Sequence, residues 1–164
     1  MKLKLALVSA AAALAVPAMM PAAAQASGGG LYASGGYANF NFDGPGGDVN
    51  LGGIQGRLGY GFHPNFAIEG EGTVGVADDG GAELNNEIGI FAVGKLPVTS
   101  QLDLFARVGA SRTEVNDVDD DGLAYGAGAQ WNFTSQDGIR GDWTRHDYDA
   151  GEFDAWSVSY VRNF

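Results

Sequence analysis

The chain has 164 residues, no cysteine, and a formal net charge of −11 at pH 7. Without cysteine it can form no disulfide and no thiolate metal site, and without a basic cluster it is not expected to bind nucleic acid. This length suits a single domain.

The first 26 residues have the organisation of a secretory signal peptide. Lys2 and Lys4 form a short positive segment, an apolar run over 5–16 follows, and small residues occupy 22–26. The run is shorter than the about 20 apolar residues of a membrane-spanning helix. We expect cleavage between Ala26 and Ser27, leaving residues 27–164 as one domain with no second domain after it.

Most segments after residue 26 alternate apolar and polar residues with a period of two, which predicts β-strands. In the first strand glycine dilutes the pattern and neither face can be assigned. In the fourth, Phe91 and Val93 are exceptions on the polar face. Eight strands are predicted, at 31–42, 52–62, 66–76, 84–96, 102–111, 123–133, 139–146 and 156–164.

The predicted connections differ in length. Short turns are expected at 63–65, 97–101 and 134–138, and longer acidic loops at 43–50, 77–83, 114–122 and 147–153. Such asymmetry and an even strand number are typical of bacterial outer-membrane barrels. The pattern predicts an all-β fold, an eight-stranded antiparallel up-and-down transmembrane β-barrel, with lipid outside. A soluble exported barrel with its apolar face inside is the alternative.

The residues of several strands resemble the OmpA/OmpX-type outer-membrane β-barrel family, also described as porin-family or opacity-type proteins. The resemblance covers 27–164 and is carried by 35–38, 106–110, 125–130 and 156–164. It implies a cell outer membrane location in a Gram-negative bacterium. It also implies a C-terminal assembly signal read by the barrel-assembly machinery, formed by Trp156, Val158, Tyr160 and Phe164. Arg162 departs from the family pattern, which usually has an aromatic residue there.

The polar face is expected to line a narrow interior, since eight strands leave room only for side chains. Hairpins folded about Pro64, Thr99 and Gln136 set Arg57 opposite Glu71, Lys95 opposite Asp103, Asn132 opposite Arg140, and Gln130 opposite Asp142. The predicted lumen charge network comprises Arg57, Glu69, Glu71, Glu87, Lys95, Asp103, Arg107, Arg140 and Asp142. Paired charges of this kind predict a plugged lumen.

Motifs for chemistry are weak. His146 adjoins Asp147, but no serine lies at a useful spacing for a hydrolase, so a lumenal histidine is favoured. His63 precedes Pro64 in a turn and is interpreted as structural. The acidic run 117–122 matches the start of a calcium loop but has Gly128 where the bidentate glutamate belongs. No enzyme activity, cofactor or built metal site is expected, although the solvated acidic loop is predicted to recruit divalent cations.

Three functions stay open. The first is an integral outer-membrane barrel with a structural or surface-interaction role and acidic extracellular loops. The second is a small-solute channel, and the third is a soluble exported ligand-binding barrel. For the first we expect a monomer whose partners are outer-membrane lipids and lipopolysaccharide.

Overall fold

A computed structural model describes residues 30–42, 49–77, 84–115, 118–149 and 151–164. The predicted signal peptide, with Ala26 and Ser27, lies outside the described residues. Within them no helix is long and apolar enough to cross a membrane. Eight strands are present: β1 Gly30–Phe42, β2 Val49–His63, β3 Phe66–Ala77, β4 Leu84–Pro97, β5 Leu102–Val115, β6 Val118–Asn132, β7 Asp137–Tyr148 and β8 Gly151–Asn163.

The strands form one closed antiparallel barrel in chain order. Each pairs with the next, and β1 pairs with β8 to close the sheet, for example through Tyr37 opposite Val158. The backbone N–H of Phe164 donates to the carbonyl of Leu31 at 2.9 Å and extends that seam. The predicted fold class and strand number are therefore confirmed.

Large apolar side chains cover the outside of the barrel. Leu58, Ile90, Val108 and Val158 are each about half exposed or more, at 48, 62, 51 and 63%. Aromatic residues join them at the end with the short turns, where Tyr60, Phe62, Phe66, Trp131 and Phe133 are also exposed. An apolar exterior of this kind suits lipid and not water, so the soluble alternative is wrong.

β1 could not be oriented from its sequence, and the structure shows which way its side chains point. Tyr32, Ala38 and Phe40 are buried in the interior, whereas Tyr37 faces outward. Phe91 and Val93, the exceptions on the polar face of β4, are also buried inside. The interior therefore contains apolar packing as well as charge.

Two of the predicted outer loops are mostly strand. β5 ends at Val115 and β6 begins at Val118. In the next outer hairpin, β7 ends at Tyr148 and β8 begins at Gly151. The predicted loops 114–122 and 147–153 are thus wrong in extent. Cross-strand ion pairs extend the ladder, because Arg112 bonds to Asp119 in one hairpin and Arg145 to Asp154, at 2.8 Å, in the other.

The register agrees with prediction in one hairpin and differs in two. Arg57 is opposite Glu71, as folding about Pro64 predicts. Lys95 is opposite Phe105, not Asp103. Arg140 is opposite Gln130, not Asn132, and Asp142 is opposite Gly128, not Gln130. Each error is a shift of two residues, which leaves every side chain on its expected face.

The two shifted hairpins share the turn sequence Thr-Ser-Gln. The Thr99 hydroxyl accepts hydrogen bonds from the backbone of Gln101 and Leu102, at 3.2 and 2.9 Å. The Thr134 hydroxyl does the same for Gln136 and Asp137, at 3.2 and 2.8 Å. These bonds centre the hairpins on the serines, residues 100 and 135, which accounts for the register.

Candidate functional site in the barrel interior

Arg57 on β2 is the centre of a buried charge cluster. Its Nε donates to Glu71 on β3, and its two Nη atoms donate to the carboxylate of Asp142 on β7, at 2.7 and 2.9 Å. Ser157 on β8 donates to the same carboxylate at 2.8 Å. Bidentate arginine–carboxylate contacts are strong and directional, so this group fixes four strands, β2, β3, β7 and β8, relative to one another.

A second pair crosses the barrel from one side to the other. Arg140 on β7 donates to both carboxylate oxygens of Glu69 on β3, the second at 3.2 Å. Tyr32 on β1 donates to Glu69 at 2.7 Å. Because β3 and β7 are four strands apart in a ring of eight, the Arg140–Glu69 pair spans the lumen.

Arg107 on β5 contacts the cluster in a different way. Its Nη1 lies 2.7 Å from Glu71 and 4.0 Å from Glu69, and its guanidinium lies 3.5 Å from the centre of the Phe91 ring. The approach to Glu71 lacks the direction of a hydrogen bond, since no guanidinium nitrogen of Arg107 has a hydrogen-bond partner among the described residues. Charge attraction and cation–π stacking hold this side chain.

The charges of the cluster balance and are sealed from solvent. Three arginines, 57, 107 and 140, face three carboxylates, those of Glu69, Glu71 and Asp142. Each of these six side chains is at most 2% exposed. The cluster is therefore almost completely screened from solvent in the described part of the barrel.

Lys95 and Asp103 lie apart from this cluster. The ammonium of Lys95 sits 4.2 Å from the centre of the Tyr32 ring and forms no ion pair among the described residues. Asp103 accepts a hydrogen bond of 3.0 Å from Asn132. The expected Lys95–Asp103 pair is therefore wrong, because the two-residue shift of that hairpin separates them along the strands.

Glu87 belongs to another polar group, nearer the outer end. It accepts a hydrogen bond from Thr73 at 2.9 Å, and its other oxygen lies 3.8 Å from His146 Nε2. His146 Nδ1 lies 3.0 Å from the Ser111 hydroxyl, which also bonds to Tyr148 at 2.6 Å.

Sequence reasoning missed Ser111 as a partner of His146, because 35 residues separate them. Only the register of β5 through β7 brings them together. The three side chains have the composition of a hydrolytic triad, but Ser111, His146 and Glu87 are 4, 1 and 0% exposed. With its hydroxyl also bonded to Tyr148, the serine has no open side for a substrate.

Apolar side chains close the interior above this polar group. The His146 ring stacks on Phe153 at a centroid distance of 4.5 Å, and Phe40 and Tyr148 also contact Phe153. The cluster of fully or nearly buried residues comprises Ala38, Phe40, Leu51, Leu84, Tyr148, Phe153 and Ala155. No spacing rule pointed to it, since four of its seven residues come from the unassigned first strand and the predicted outer loop 147–153.

The predicted assembly strand presents a lipid-facing row. Trp156, Val158 and Tyr160 are exposed on the outer face of β8, and Phe164 is half-buried at its end. Arg162, the departure from the family pattern, donates to Asp137 at 2.6 Å. Tyr160 donates to the same carboxylate, so the arginine charge is compensated at the barrel rim.

The described part of the acidic run in the β5–β6 hairpin is strand. Residues 118–121 lie in β6, and Asp119 pairs with Arg112. Within the described ranges no group of three histidine or acidic side chains could hold a metal ion. Asp117 lies outside the described residues, so cation recruitment by this run stays a prediction.

The chain matches known proteins in both sequence and structure. A family model described as outer membrane protein beta-barrel domain matches residues 8–164. No match was found among curated proteins.

Several solved barrels share the fold at low identity. Ail of Yersinia pestis, the attachment invasion locus protein, has a TM-score of 0.65 at 18% identity over 84% of this chain and 99% of that one. Neisserial surface protein A has a TM-score of 0.64 at 16% identity, over 84% of this chain and 99% of that one. OprG of Pseudomonas aeruginosa has a TM-score of 0.61 at 12% identity, over 84% of this chain and 96% of that one. The chain belongs to the family of outer-membrane β-barrel proteins of Gram-negative bacteria, with the eight-stranded fold of these neighbours.

Proposed function

We propose that this outer-membrane barrel has a structural or surface-interaction role, with a closed interior and no catalytic activity. The observation that carries the proposal is the Arg140–Glu69 pair between opposite strands, fully buried. Arg57 and Asp142 form a second connection across β8 and β1. A solute following the barrel axis would have to break both connections, each made of charges that are costly to separate inside a barrel.

A small-solute channel is the competing function. It predicts that proteoliposomes containing the folded protein swell when diluted into an isotonic solution of a small sugar or amino acid. The closed barrel predicts swelling rates equal to those of empty liposomes. Rates that rise with the amount of folded protein would overturn the closed interior.

The outer hairpins are proposed as the interaction surface. Their described ends expose Asp119, Asp121, Asp147 and Glu152 to the outside. One structure of Ail holds the heparin analogue sucrose octasulfate, but an acidic rim repels a polyanion. We propose cationic or cation-bridged partners here, including the lipopolysaccharide surface, which carries phosphates.

Binding to intact cells tests this surface. Cells displaying the barrel are expected to bind a cationic polymer more strongly than cells displaying a variant with these four acids changed to amides. Equal binding, at equal surface levels of folded barrel, would remove the acidic rim from the function. A sulfated polymer serves as the charge control and is expected to bind neither the cells with the barrel nor those with the variant.

The proposal includes the route to the membrane. The signal peptide is removed after Ala26, and the barrel-assembly machinery recognises the row Trp156, Val158, Tyr160 and Phe164. Outward exposure of the first three supports this. The finished protein is proposed to be a monomer, and cross-linking in intact cells that yields a dimer would contradict that.

A further inference from the structure

A small polar cavity opens at the end of the barrel with the short turns. Its volume is about 220 Å³, and its walls include Tyr32, His63, Lys95 and Asn163. This end faces the periplasm in bacterial outer-membrane barrels. The cavity is smaller than the roughly 300–1,000 Å³ of sites for drug-sized ligands, so it suits a group of a few heavy atoms.

The charge of the cavity favours an anion. Lys95 is the cation of the interior that forms no ion pair among the described residues, whereas Arg57, Arg107 and Arg140 are all paired. None of the described residues that line the cavity is acidic. The Tyr32 ring covers one side of the Lys95 ammonium, which leaves its remaining N–H donors for a partner within the cavity.

The turn next to the cavity fixes the backbone of Lys95, from which its side chain extends. The backbone N–H of Lys95 donates to the carbonyl of Asn65 at 2.7 Å, and the Asn65 side chain donates to the Lys95 carbonyl at 3.0 Å. The backbone N–H of Asn65 donates to His63 Nδ1 at 3.2 Å. A neutral imidazole that accepts at Nδ1 carries its hydrogen on Nε2, so His63 supplies a second donor to the cavity wall.

We propose that this cavity binds an oxyanion, a carboxylate or phosphate group, presented from the periplasm. The Lys95 ammonium supplies the charge, and His63 Nε2 supplies a hydrogen bond. The group can belong to a soluble periplasmic molecule or to the headgroup of a phospholipid in the inner leaflet. The site lies below the buried charge cluster and does not depend on whether that cluster blocks conduction.

Titration of the refolded, ¹⁵N-labelled protein tests the proposal. Inorganic phosphate and acetate are added in a non-ionic detergent, with sodium chloride at equal ionic strength as the reference. Saturable NMR shifts are expected at the amides of Gly30, Gly61 and Lys95. Lys95→Gln is expected to weaken binding at least about tenfold, the factor that loss of one charged hydrogen bond produces. Arg112→Gln, at the opposite rim, is expected to bind as the wild type does.

Two further arms complete the test. His63→Ala keeps Lys95 in place and is expected to weaken binding several-fold, which covers the case in which Lys95→Gln fails to refold. The protein is also placed in phosphatidylglycerol nanodiscs without added anion. If the same amide signals are already shifted there, the source of the anion is a lipid headgroup; if they are not, the source is a soluble anion. Linear, unsaturable shifts in the wild type, or equal affinity in Lys95→Gln, would overturn the proposal.

Discussion

Replacing Arg57 by methionine removes the guanidinium that links three strands. Glu71 then keeps Arg107 as its partner, at 2.7 Å, and Asp142 keeps Arg140, at 3.1 Å. Breaking a buried ion pair typically costs about 3–5 kcal/mol because a charge is left uncompensated. Since each carboxylate retains one cation, we expect the free energy of unfolding to fall by about 3 kcal/mol, at the lower end of that range.

Urea unfolding in lipid vesicles, followed by tryptophan fluorescence and by gel migration of unboiled samples, measures this loss. With a typical dependence of about 1–3 kcal/mol per molar urea, the midpoint falls by about 1–3 M. Arg112→Met is the matched control, because its pair with Asp119 is about half exposed, and its midpoint is expected to stay unchanged. Equal midpoints for the two variants would refute the reasoning and indicate separately hydrated interior charges.

Intact-mass measurement of the exported protein is expected to give a chain beginning at Ser27, and retention of residues 1–26 would contradict this. Deleting Phe164 is expected to lower the heat-modifiable barrel in membranes more than Phe164→Ala, since the deletion also removes the backbone bond to β1; wild-type levels in both would exclude an assembly role. Gly109→Ala is expected to prevent or strongly destabilise folding, because its Cβ would lie 1.9 Å from the Ile90 carbonyl oxygen. Gly94→Ala is the silent control, because its added Cβ would have no heavy atom of the described residues within 4 Å. Equal stability of the two variants would disprove the steric argument.

The alternating pattern predicted the barrel well because a period of two assigns each residue to one of two faces. A register error of two residues keeps that assignment. Lys95 and Arg140 were therefore expected on the inner face and lie there, although their cross-strand partners were wrong. The two-residue turn at Pro64 leaves little freedom, and there the pairing of Arg57 with Glu71 followed from the sequence alone.

Partners across the lumen could not be predicted from hairpins. Arg140 and Glu69 are 71 residues apart, and Ser111 and His146 are 35 apart. Their contacts depend on closure of the sheet and on the combined register of several strands. The glycines of β1 also made its inner face unpredictable from the sequence. In the structure Phe40 lies on that face and belongs to the apolar cluster around Phe153.

The acidic hairpins are mostly strand and not the predicted loops, because charge alone does not indicate irregular structure. Asp119 and Asp154 instead lie opposite arginines or beside them, and strands that project beyond the lipid tolerate polar residues on their outer face. The sequence does indicate the centres of the hairpins that contain Thr99 and Thr134, since both turns have the sequence Thr-Ser-Gln. Using that repeat to centre both hairpins on serine gives the observed registers.

Single-channel recording in planar bilayers tests the closed interior most directly, because inorganic ions are smaller than any solute used in swelling assays. The folded wild-type protein is expected to insert without discrete current steps. A Glu69→Ala, Arg140→Ala double variant, which lacks the pair across the lumen, is also expected to stay closed, because the Arg57–Asp142 connection and the apolar cluster around Phe153 remain. Steady unitary conductance of the folded wild-type protein would contradict the account.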